Sequence, residues 1–83
     1  MGENERESAM LAAELARQAA GLSHYKDTDV YFCIQGNTGC VCLTVEENRS
    51  PAYQRREFLS NPDGLLQMLL DLQKMNRERR RLG

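Results

Sequence analysis

Tryptophan is absent from this 83-residue chain, and its aromatic residues are only Tyr25, Tyr31, Phe32, Tyr53 and Phe58. Five rings are too few for a stacking surface that reads nucleic-acid bases. His24 is the single histidine. No G-x-S-x-G, P-loop, dinucleotide fingerprint or H-E-x-x-H occurs, so the sequence predicts neither an enzyme nor a cofactor. Apolar runs fall well short of the ~20 residues that span a bilayer, which excludes a membrane helix. Charge of one sign is also missing: 11 Lys and Arg stand against 12 Asp and Glu. That balance excludes a globally basic nucleic-acid protein and a highly acidic mimic of one. Met1 to Ser8 are charged where a secretory signal would be apolar, so the expected location is cytoplasmic. Repeats and low-complexity tracts are lacking.

Cysteine is scarce and odd in number: Cys33, Cys40 and Cys42, within ten residues. An odd count without a secretory signal argues against a disulfide framework. Three thiolates and His24 would suffice for a tetrahedral zinc site, but C-x6-C-x-C is not the usual knuckle spacing. The expectation is therefore no metal, with reduced cysteines serving as small apolar residues. Cys33 and Cys42 face each other in the hairpin described below, close enough to be linked under oxidising conditions.

What is present indicates a small α+β domain spanning residues 1–83, with 1–4 and 80–83 expected to fray. Hydrophobic residues are 41% and charged residues 28%, ordinary for a globular chain. A first helix is expected from about Glu5 to Ala20. Asn4 and Glu7 have the capping-box spacing, and Gly21 supplies a left-handed end. Leu11, Leu15 and Leu22 fall on one stripe, flanked by Ala12 and Ala19. Two strands follow, Val30 to Gln35 and Cys40 to Glu46, rich in β-branched and aromatic residues. Gly36-Asn37-Thr38-Gly39 between them are all turn formers. With those as the loop, Gln35 opposes Cys40. Val30, Phe32, Ile34, Val41, Leu43 and Val45 then share one face, and the cysteines share the other.

Glu47 to Asn61 is ambiguous. Ser50-Pro51 suits the start of a short helix, and we read the segment as irregular or short helical. The alternative is an edge strand over Tyr53 to Phe58, blunted by Arg55, Arg56 and Glu57. Asn61-Pro62-Asp63 then opens a strong final helix running to about Arg80. The expected order is α-β-β-α, with the hairpin packed against both helices.

Seven apolar residues between Leu65 and Met75 cover more of the last helix than one sheet can bury. Symmetric pairing is the commonest remedy, so Leu66 and Leu70, with Met68 and Met75, are the candidate protein interface. The competing cover is the Glu47 to Asn61 segment folded over that flank. The functional expectation is a non-enzymatic interaction or regulatory protein, homodimeric, with a further protein partner of unknown identity. Small accessory proteins of bacteria and phages commonly take this form. The alternative is a nucleic-acid-binding regulator using Lys74, Arg77, Arg79, Arg80 and Arg81. A thiol- or zinc-dependent protein is the third reading.

Overall fold

The computed structural model describes residues 2–82. The elements are α1 (Glu3–Leu22), β1 (Thr28–Gln35), β2 (Cys40–Glu47), β3 (Ser50–Phe58) and α2 (Pro62–Leu82). The strands form one antiparallel sheet in the order β1-β2-β3. Both helices cover one face of it. The chain is thus a small α+β domain of order α-β-β-β-α.

The first hairpin has the register that its loop dictates. Gln35 pairs with Cys40, Cys33 with Cys42, and Val30 with Val45. Gly39 takes φ +68°, the left-handed position that closes the turn, and its N–H donates to the Gln35 carbonyl at 2.8 Å.

Glu47 to Asn61 differs from the irregular or helical reading. Ser50 to Phe58 form the edge strand β3, so Pro51 does not open a helix. A two-residue turn, Asn48-Arg49, joins β2 to β3, with φ of 53° and 66°. Two left-handed residues in succession give the twist that tight antiparallel hairpins require. Pro51 has no N–H to give a ladder, and a bulge beside it leaves Ala52 without a partner between Glu46↔Pro51 and Val45↔Tyr53.

The core follows from the central position of β2. Val41, Leu43 and Val45 are buried under Leu15, Ala19 and Leu22 of α1 and Leu65, Met68, Leu69 and Leu72 of α2. Val30 and Phe32, on the edge strand β1, are only partly covered, and Ile34 remains 47% exposed at the hairpin end. The helices run parallel. Near the start of α1, Ser8 Oγ donates to the Leu59 carbonyl just ahead of α2. Near its end, Asn76 Nδ2 donates to the Gln18 carbonyl at 3.1 Å and to Gln18 Oε1 at 2.8 Å.

Helix ends depart from expectation at α1 and agree at α2. Asn4 lies inside α1, whose N-cap is Gly2 without a side-chain bond. Glu3 and Glu5 in the first turn complement the helix dipole instead. Gly21 is helical and does not end α1; Ser23 caps it, donating its N–H to Ala19. Gly21 lies where the helices meet, and a Cβ there would stand at ordinary contact distance, 3.4 Å, from Asn76 Oδ1. At α2, Asn61 is the cap, its Oδ1 accepting from Gly64 N–H at 3.3 Å. Arg80 and Arg81, expected to fray, are still helical, since α2 continues to Leu82.

Candidate functional site

Helical periodicity divides α2 into faces. Leu65, Met68, Leu69, Leu72 and Asn76 are buried in the chain's own core. Met68 therefore cannot be an intersubunit contact, a correction to the sequence reading, and Met75 packs partly against the same core. Asp63, Leu66, Leu70, Lys74 and Arg77 follow one another at steps of three and four, and all five are exposed. Leu66 is 44% and Leu70 48% exposed, large values for leucines one turn apart. The segment proposed to cover them lies elsewhere, because Glu47 to Asn61 forms the edge strand β3 beside the other, Asp71-bearing flank of α2. The exposed row thus reads acid, leucine, leucine, base, base along about 21 Å of helix.

The opposite flank of α2 is tied to β3 by polar contacts. Tyr53 hydroxyl donates to Asp71 Oδ2 at 2.6 Å, and Gln67 Nε2 donates to Asp71 Oδ1 at 3.1 Å. Arg55 bridges Asp71 at 3.4 Å and Glu57 at 2.8 Å. Burial would raise the Asp71 carboxyl, but the bonds from Tyr53 and Gln67 and the Arg55 charge outweigh it. They hold the group below the usual carboxylate range. Burial, with Asp71 beside it, pushes the Tyr53 phenol well above its ordinary value.

The structure withdraws one member from the basic set proposed for nucleic acid. Arg79 turns back to Asp27, Nη1 donating to Oδ2 at 3.0 Å and Nη2 to Oδ1, and its guanidinium lies 4.7 Å from the Tyr25 ring centroid. The Arg79 bonds hold Asp27 below the usual carboxylate range. Lys74, Arg77, Arg80 and Arg81 remain exposed. Arg55 is engaged between Asp71 and Glu57 on the helix side of the sheet, and Arg56 belongs to the other face. Lys74, Arg77 and Arg81 follow at steps of three and four and line one exposed side of α2, without Arg79, which is paired with Asp27. Sequence alone carried no signal for the Arg79–Asp27 pair, whose members lie 52 positions apart.

The cysteines separate by environment. Cys33 is exposed, Cys42 half-buried and Cys40 buried. Cys40 lies on the face that the register assigns to it, yet is covered; its Sγ is 3.8 Å from the Thr38 carbonyl. Among the described residues, no group of three or more His, Cys, Asp or Glu is gathered as a metal site. A cavity of about 510 Å³ opens where the start of α1 meets the hairpin loop and Phe58-Leu59. Among the described residues that line it, Glu5 is the one ionisable side chain, and the Ser8 hydroxyl beside it is bonded to Leu59, so these residues form no acid–base pair. Among the described residues, no helix is long and apolar enough to cross a membrane. Comparison with known protein families, curated proteins and solved structures finds no match to this chain.

Proposed function

We propose that this chain is a non-enzymatic interaction protein that works as a homodimer, pairing α2 against α2 of a second copy. The observation carrying this reading is the exposed row Asp63, Leu66, Leu70, Lys74, which is complementary to itself when reversed. In an antiparallel arrangement centred level with Met68, Leu66 meets the second copy's Leu70. Asp63 then falls within one residue of the second copy's Lys74, and the two-fold axis repeats both contacts. A parallel arrangement would set Asp63 against Asp63 and Lys74 against Lys74. The leucines supply the driving force by leaving water. The exposed charge pairs add little energy but fix the direction of pairing.

Sedimentation over a series from micromolar to millimolar concentration tests the reading. The expected result is a reversible shift from 9.5 kDa monomer to dimer. Leu66→Glu with Leu70→Glu should hold the chain monomeric without lowering its melting temperature in dilute solution. A wild-type chain monomeric throughout would overturn the proposal.

A further inference from the structure

The sheet face opposite the helices carries a row of sulfur and charge that dimerisation through α2 does not use. Cys33 of β1 pairs with Cys42 of β2, and Cys42 pairs with Arg56 of β3. Alternation puts all three side chains on this outer face. Cys33 is exposed and Cys42 half-buried. Directly opposed residues in an antiparallel ladder have Cα atoms about 4.5–5.5 Å apart, within the range of about 4.4–6.8 Å that a disulfide spans. Arg56 stands directly across the ladder from Cys42, and the nearby sulfur holds its guanidinium above the usual range. A shallow depression beside Cys42, bordered by Thr44, Gln54 and Arg56, gives access to the sulfur.

We infer that Cys33 and Cys42 form a dithiol site that exchanges with a low-molecular-weight disulfide of the glutathione type and closes into an intrachain disulfide. Arg56, the cross-strand neighbour of Cys42, sets a fixed positive charge beside that sulfur, so we take Cys42 as the attacking group. Cys42 thiolate attacks one sulfur of oxidised glutathione. A Cys42–glutathione bond forms, the glutathione S–S bond breaks, and one glutathione thiolate leaves and takes up a proton. Cys33, after losing its proton to solvent, attacks the Cys42 sulfur and expels the second glutathione as a thiolate. The protein loses two protons and two electrons, and one oxidised glutathione, taking them up, becomes two reduced molecules. Cys40 takes no part, being buried beneath the hairpin loop.

The test treats the folded full-length chain with oxidised glutathione, quenches with acid and maps the sulfurs by peptide mass spectrometry. The expected product is Cys33 bonded to Cys42, with Cys40 a free thiol. Cys33→Ser should halt the sequence and leave glutathione on Cys42. Arg56→Gln should slow the first step several-fold at neutral pH, and Arg56→Lys should restore most of the rate. Both Arg56 variants should melt like wild type, since Arg56 is exposed. Free Cys33 and Cys42 after treatment would overturn the inference. So would a Cys33→Ser chain without glutathione on Cys42, or reaction at the same rate and sites in the urea-unfolded chain.

Discussion

Tyr53→Phe is the sharpest probe of how β3 is held to α2. The ring packs against the core and is kept; only the hydroxyl, 2.6 Å from Asp71 Oδ2, is lost. A hydrogen bond to a charged group contributes about 1.5–3 kcal/mol. Here the acceptor keeps its bonds from Gln67 and Arg55, and its side chain is 29% exposed, so water replaces part of the loss. The expected cost is about 1–2 kcal/mol, which for a domain of this size lowers the melting temperature by roughly 4–16 °C. Chemical unfolding at one fixed, dilute protein concentration measures it without a contribution from association. The sign with pH is fixed by Asp71. Its carboxyl titrates below the usual carboxylate range in the folded chain, so its bonds stabilise the fold above the unfolded value of about 3.9. That stability is lost as pH falls through the folded value. The gap between wild type and Tyr53→Phe should therefore narrow in acid. Equal stabilities at pH 7, or a gap that ignores pH, would refute the reasoning.

Three further outcomes are expected. Arg49→Gly should stabilise the chain by about 0.5–1 kcal/mol in urea unfolding, because Arg49 holds φ 66° in a turn where glycine pays no steric penalty. Ending the chain after Arg79 should leave the melting temperature unchanged, whereas ending it after Arg77 should lower it clearly. Only the second removes the Arg79 contacts with Asp27 and Tyr25. Leu43→Ala, on the central strand with 0% exposure, should cost about 2–5 kcal/mol; a cost below about 1 kcal/mol would place the core elsewhere.

The first hairpin was legible because two independent signals agree. The loop Gly36 to Gly39 sets the register, and that register gathers Val30, Phe32, Ile34, Val41, Leu43 and Val45 on one face. The last helix was legible from Asn61-Pro62-Asp63, whose cap geometry is the one observed. β3 was obscured because its core-facing positions are Tyr53, Arg55 and Glu57, of which only Tyr53 is apolar. The charges at Arg55 and Glu57 are balanced by each other and by Asp71, a partner supplied by α2. Its turn, Asn48-Arg49, lacks the glycine that announces a tight hairpin. The end of α1 lies beyond the expected one because Gly21 has the composition of a helix stop yet stays helical, with Ser23 as the cap. Leu66 and Leu70 stood out because the apolar arc of α2 exceeds what a single sheet covers. Met68 could not be separated from them until the packing on β2 was known.

Exchanging the charges at the ends of the leucine row tests the antiparallel homodimer most directly. Asp63→Lys and Lys74→Asp are each made alone, and their sedimentation is followed separately and mixed. Each variant alone should associate more weakly than wild type, because like charges then face each other at both ends of the seam. Mixed in equal amounts, they should recover association as a heterodimer. At one end of its seam the introduced lysine meets the introduced aspartate, and at the other the native Lys74 of one variant meets the native Asp63 of the other. Association of the mixture no stronger than that of either variant alone would contradict the account, as would a wild-type chain that sediments at 9.5 kDa at every concentration.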